Sequence, residues 1–183
     1  MENYIDIKLK PVPELQESPL MNIVFTRLHN KIIEMKTEQI GVSFPEYKIK
    51  LGRILRLHGS EKSLQNFIDT SWLDEVAEYC EVVGVNNIPS EVKYRVISRI
   101  RPNMSKSKLE RLKRRNAINT DAEKEYKKKM FAQGLDNPFV DLDSGSTGQR
   151  YRLFINLGEL LEHPIEGKYN SYGLSKEATV PWF

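Results

Sequence analysis

With 183 residues, 39% of them hydrophobic and 29% charged, the chain can build one domain or two small ones around an apolar core. Neither its first twenty residues nor any later stretch has an apolar run of signal-peptide or transmembrane length. The lone cysteine, Cys80, excludes an internal disulfide and a cysteine-based zinc cluster, so a cytoplasmic location is expected. The net charge of +3 hides a strong asymmetry: residues 91–130 hold 14 basic and 5 acidic side chains, whereas residues 1–90 and 131–183 are each net −3. A basic segment on an otherwise near-neutral protein is the electrostatic footprint of a nucleic-acid binder, with a solvated helix face as the plain alternative.

In chain order, YIDIKLK (Tyr4–Lys10) alternates apolar and polar residues and predicts a strand. MNIVFTRLHNKIIEM then repeats apolar residues at helical spacing, with Val24, Leu28 and Ile32 on one face and Ile23, Phe25, Ile33 and Met35 widening it. QIGVSF (Gln39–Phe44) and KIKLGRILRLHG (Lys48–Gly59) predict two more strands. Ser60 is a good N-cap for a second helix through Phe67, which WLDEVAEY continues or repeats. YCEVVGV (Tyr79–Val85) supplies a fourth strand. The order βαββαβ is that of a ferredoxin-like domain, ending at about residue 90 in the loop NNIPSE.

Beyond that boundary, KYRVISRIR (Lys93–Arg101) predicts a strand stopped by Pro102. Ser105 or Ser107 can cap the helix SKSKLERLKRRN, in which Glu110 is the single acid among six bases. A further helix is expected from about Thr120 to Phe131, followed by strands and turns. The whole reads as an α+β protein, with a ferredoxin-like unit over 1–90 and a second α+β unit with a basic helix over 91–183.

The chain has no phosphate-binding glycine loop, no HExxH and no GxSxG, and its acids are scattered. Of its three histidines, His58 closes a strand and His163 precedes a proline. His29 sits at the edge of the first helix's apolar stripe; it is either a packed side chain or a proton carrier. DSGSTGQ (Asp143–Gln149) has the composition of a hairpin turn, and also the hydroxyls and N–H groups that hold a phosphate or ribose. Tyr151, just after it, is either a sheet residue or a ring for base stacking. Arg99 and Arg101 share one strand face; they are either edge charges or guanidinium forks beside the basic helix, suited to guanine O6 and N7.

Taken jointly, YIDIKLKP, LHNKI, IGVSFP, SRIR with LERLKRR, NPFVDLDSGSTGQRYRLFI, YGLSK and VPWF resemble the CRISPR repeat-processing endoribonuclease family of type I-F systems. The resemblance runs over nearly the whole chain, and it implies that the unit over 91–183 is an RNA-binding domain with an arginine-rich helix. It implies a hairpin in the CRISPR repeat transcript as substrate, cut at the base of its stem without metal or cofactor. It also implies retention of the mature guide RNA within a surveillance complex whose other subunits are partners, with no membrane. It gives His29 the catalytic histidine's place, Ser144 that of a serine positioning the attacking ribose hydroxyl, and Tyr172 that of a tyrosine orienting the histidine. Ser146 and Thr147 match hydroxyls near the stem base. Tyr151 falls where the family usually has a phenylalanine that stacks on the terminal base pair. Arg99 matches a guanine-reading arginine, and Arg101 stands where a relative has glutamine reading an adenine. Arg111, Arg114 and Arg115 match arginines that grip stem phosphates, and Lys108 lies on the same helix. The competing expectation is a scaffold subunit that binds the hairpin without cutting it. The trio His29, Ser144 and Tyr172 separates the two, since a scaffold has no use for proton transfer at a phosphate.

Overall fold

The computed structural model describes residues 1–10, 17–101, 104, 106–132, 137–143 and 148–183, with the side chains of residues 17, 18 and 131 left aside. Two four-stranded antiparallel sheets organise it. The first contains β1 (Asn3–Leu9), β2 (Gly41–Ser43), β3 (Ile54–Gly59) and β4 (Cys80–Asn87) in the order β2-β3-β1-β4. With α1 (Glu17–Met35) and α2 (Glu61–Ile68), this is the ferredoxin-like βαββαβ arrangement that the residue pattern predicts. The second sheet, β6-β7-β5-β8, is built from β5 (Lys93–Ile100), β6 (Phe139–Asp143), β7 (Arg150–Leu161) and β8 (Thr179–Trp182).

The helical stripe of α1 buries Leu20, Met21, Val24, Phe25, Leu28 and Ile32, while Ile23 and Ile33 stay exposed. It packs on β1 and also on β6, where the Asn22 side-chain oxygen accepts from the backbone N–H of Asp141 at 3.0 Å. The helix thus stands between the sheets, and one buried cluster runs from Ile5, Ile7 and Leu57 through α1 to Leu142, Leu153 and Val180. The chain's last residue adds a second tie. Arg56 of β3 forms a bidentate pair with its cross-strand neighbour Asp6, at 2.6 and 2.9 Å, and donates to the backbone oxygen of Phe183 at 3.0 Å. Its guanidinium lies against the rings of Tyr4 and Phe183, 4.4 and 4.0 Å from their centres, and the two rings meet edge to face.

Some boundaries differ from the sequence expectation. The third strand begins at Ile54 rather than Lys48, because Gly52 at φ +82° turns the chain and the Glu46 carboxylate accepts from the Arg53 N–H there. WLDEVAEY does not extend α2: the helix ends at Ile68 with Asp69 as its C-cap, Ser71 at φ +52° then turns the chain, and Asp74–Tyr79 forms a separate 3-10 turn. Ser60 is the N-cap of α2, accepting from the Ser63 N–H. The strand after the boundary loop ends at Ile100, so Arg101 lies just past it.

The basic helix α3 (Lys106–Arg114) contains Ser107, which therefore does not cap it; Ser105 lies outside the described residues. Its C-terminus closes with Asn116 in the left-handed region at φ +48°. The Asn116 and Ala117 N–H groups bond back to Lys113 and Leu112, which is a Schellman closure. Leu109 packs with Tyr126 and Met130 of α4 (Thr120–Ala132) in a small cluster apart from the main core.

Candidate active site

His29 leaves α1 beside the turn Asn170–Ser175 that follows β7. That turn is tightly built. The Asn170 side chain accepts from the Tyr172 N–H at 2.8 Å, the Gly173 N–H donates to the Asn170 carbonyl at 2.9 Å, and the Asn170 N–H donates to the Leu174 carbonyl at 2.9 Å. It is docked on both sheets, through Val42 N–H to the Gly173 carbonyl and Ser175 N–H to the Ile97 carbonyl, each at 2.9 Å. Gly173 has φ +69°, and a Cβ there would lie 2.3 Å from Val42 Cγ2, so both backbone angle and space demand glycine.

The turn presents two groups to the histidine. The Ser171 carbonyl lies 2.7 Å from His29 Nδ1, and the Tyr172 ring stacks on the imidazole with centroids 4.0 Å apart and planes 11° from parallel. A carbonyl only accepts, so Nδ1 carries the hydrogen. Nε2 of the neutral ring is then the unprotonated nitrogen. Burial lowers the imidazole's pKa below its ordinary 6.5; the bond to Ser171 opposes that shift, and the Arg99 cation adds to it.

Arg99 completes the group. Its guanidinium lies 5.4 Å from the Tyr172 ring centre and 5.7 Å from that of Tyr151, and its Nε is buried without a hydrogen-bond partner among the described residues. Tyr151, on β7 in register with Leu142, brings its hydroxyl oxygen 2.8 Å from that of Tyr172. Burial, the bond to Tyr172 and the charge of its phenol push the Tyr151 hydroxyl up to about 12, so it stays protonated at neutral pH.

Of the residues singled out from the sequence, His29, Tyr172, Tyr151 and Arg99 converge in space. Arg101 is exposed just past β5. Lys108, Arg111 and Arg114 lie exposed on α3, and Arg115 is exposed in its closing turn. Arg111, Arg114 and Arg115 have the i, i+3, i+4 spacing of one helix face. Lys113, by contrast, is drawn toward α4 by Glu123 at 3.2 Å. Ser144, Ser146 and Thr147 lie outside the described residues, between the paired residues Asp143 and Arg150 that flank them in the chain. The Ser171 carbonyl and the Asn170 side chain are contributions that residue type does not advertise. Among the described residues, no group of three or more His, Cys, Asp or Glu side chains is placed to hold a metal ion. No described helix is long and apolar enough to cross a membrane.

The family model described as CRISPR-associated protein (Cas_Csy4) matches residues 4–183. The CRISPR-associated endonuclease Cas6/Csy4 of Pseudomonas aeruginosa (strain UCBPP-PA14) is 38% identical over 190 residues, covering 100% of both chains. The protein of the same name from Escherichia coli (strain UTI89 / UPEC) is 36% identical over 187 residues, again covering 100% of both. A solved structure of Thermus thermophilus Cse3 bound to an RNA representing a pre-cleavage complex is more remote, with 10% identity and a TM-score of 0.36 over 99% of this chain and 100% of that one. A family model spanning all but the first three residues and two full-length relatives above one-third identity show that the chain belongs to the Cas_Csy4 family of CRISPR-associated proteins, a family of endonucleases.

Proposed function

We propose that this protein is a metal-independent endoribonuclease that cuts CRISPR repeat hairpins at the base of the stem and keeps the mature guide RNA. The observation that carries the reading is the state of His29. Its Nδ1–H is committed to the Ser171 carbonyl, its ring is held by Tyr172, and burial with the nearby Arg99 favours the neutral form. A neutral imidazole with a free Nε2 lone pair is a general base at neutral pH. Its substrate proton is that of the ribose 2′-hydroxyl beside the scissile phosphate. As Nε2 takes that proton, the 2′ oxygen attacks phosphorus in line and the bond to the 5′ oxygen breaks, that oxygen taking a proton from water. The products are a 2′,3′-cyclic phosphate and a 5′-hydroxyl. Ser144 is assigned to positioning the 2′-hydroxyl, with Ser146 and Thr147 beside the stem base.

The units 1–90 and 91–183 divide the work. The first supplies the base on α1, and the second supplies Tyr172, Tyr151, Arg99 and the grip on RNA. Arg111, Arg114 and Arg115, with Lys108, contact stem phosphates from α3. Arg99 and Arg101 read base edges, Arg101 favouring a guanine. The Tyr151 ring caps the lowest base pair. Other subunits of the type I-F surveillance complex are the expected protein partners.

The test is incubation of labelled repeat hairpin with the protein in EDTA. Cutting at the stem base, lost in His29→Ala with binding retained, is the expected result. A hairpin whose scissile ribose lacks its 2′-hydroxyl binds and stays whole. Tight binding with no cutting by the wild type would make the protein a scaffold instead.

A further inference from the structure

The hydroxyl of Tyr151 has no task in stacking, which needs only the ring. Yet it lies 2.8 Å from the Tyr172 hydroxyl, the other end of the ring that stacks on His29 at 4.0 Å. One phenol donates and the other accepts. The two residues come from unlike supports. Tyr151 sits on β7, held in the ladder opposite Leu142, whereas Tyr172 sits in a turn fixed at its backbone by Asn170. A tyrosine ring has two free torsions beyond the backbone. The stack restrains the ring's plane, but parallel faces can slide over each other at little cost. A hydrogen bond at the para position, farthest from Cα, stops that slide. We propose that Tyr151 is a positioning residue: its hydroxyl pins Tyr172 to β7, and so holds the His29 imidazole with Nε2 aimed at the 2′-hydroxyl.

Arg99, over both rings, is the only described cation placed against the two phenols. Its charge favours the orientation in which phenol oxygens, not hydrogens, face the guanidinium.

This inference rests on the ribonuclease reading for its catalytic arm but not for its structural one. In the free protein, the His29 Cε1–H proton resonance lies in the ring current of Tyr172. Tyr151→Phe, which keeps the ring and removes one oxygen, should move that resonance toward the value of an unstacked histidine; an unmoved resonance overturns the proposal whether or not the protein cuts RNA. In single-turnover cleavage at saturating protein, Tyr151→Phe should slow the cut roughly five- to tenfold, the loss of about one neutral hydrogen bond. Affinity for the uncleavable 2′-deoxy hairpin should stay within about twofold, because the stacking ring remains. Tyr172→Phe should slow the cut to a similar degree, and the double variant should be no slower than Tyr172→Phe alone. An unchanged rate, a loss confined to affinity, or additive effects in the double variant each overturn it. A wild type that fails to cut sinks the ribonuclease reading, and the resonance measurement still decides the role of Tyr151.

Discussion

The Nδ1 atom of His29 lies 2.7 Å from the carbonyl oxygen of Ser171, on the far side of the molecule's sequence by 142 residues. The bond fixes the tautomer, but the surroundings fix the charge. Burial is the larger influence and Arg99 adds to it, so the imidazole titrates below 6.5 despite the bond to Ser171. His29 in the free protein, followed by its ring-proton resonances, should titrate with a midpoint under 6.5. Arg99→Gln removes the cation and should raise that midpoint. The cleavage rate at sub-saturating RNA, which reports the free enzyme, should fall on the acid side with the same midpoint. A free-protein midpoint above 6.5 would contradict the neutral-base assignment.

Gly173 is the backbone joint on which the Ser171 carbonyl and the Tyr172 ring depend. Alanine there meets two separate obstacles, a left-handed φ of +69° and a contact of 2.3 Å with Val42. The first alone costs about 1–2 kcal/mol. The second forces the turn off β2, which breaks the Val42–Gly173 backbone bond. Gly173→Ala should lower thermal stability by roughly 5–10 °C and slow cleavage more than it weakens RNA binding. Gly84→Ala is the control. Nothing lies within 4 Å of its added methyl, and it should match the wild type in both measurements.

The pattern of what could be read in advance follows from range. The apolar stripe of α1 and the βαββαβ order were legible because helix and strand periods are local signals. The third strand was drawn too long because alternation in Lys48–Arg53 coincides with a turn, and only the φ of Gly52 distinguishes the two. His29 was harder. Its own neighbours support a packed side chain as well as a proton carrier, and only resemblance to a family favoured the second. The Ser171 carbonyl was invisible, since a backbone acceptor leaves no mark on residue type. The place of Arg99 is legible only in part, because its strand spacing with Arg101 says nothing about the two tyrosines, one on β7 and one in the Asn170–Ser175 turn, whose rings lie near its guanidinium.

Arg114 and Lys113 are neighbours with different fates. Lys113 is held between Glu110 at 3.8 Å and Glu123 at 3.2 Å, whereas Arg114 is exposed on the face it shares with Arg111 and Arg115. A phosphate contact releases counterions, so its removal lowers the salt dependence of binding. Arg114→Ala should weaken hairpin binding and reduce the slope of log affinity against log salt by about one. The single-turnover rate at saturating protein should change little, because the residue is assigned to stem phosphates. Lys113→Ala should leave the salt slope nearly unaltered. Equal slopes for the two variants would show that α3 does not present its arginines to the RNA.

His58 titrates with the fold rather than with the substrate. It is fully buried on β3, with Nε2 2.7 Å from the Ser43 hydroxyl and Nδ1 unpartnered among the described residues. Burial, reinforced by the Arg56 cation, pushes its pKa down to about 3. In the unfolded chain the same ring protonates near pH 6.5. Between those values the unfolded state binds a proton that the folded state refuses, so stability is full above pH 6.5 and falls as the pH drops toward 3. For this one residue the loss from pH 7 to pH 5 is about 2 kcal/mol. Urea denaturation at the two pH values should show it. His58→Gln keeps a partner for Ser43 and cannot titrate; its stability at pH 7 should be lower, yet its further loss on going to pH 5 should be smaller than the wild type's by about 2 kcal/mol. Parallel losses in the two proteins would mean that the buried ring takes up its proton without unfolding the sheet.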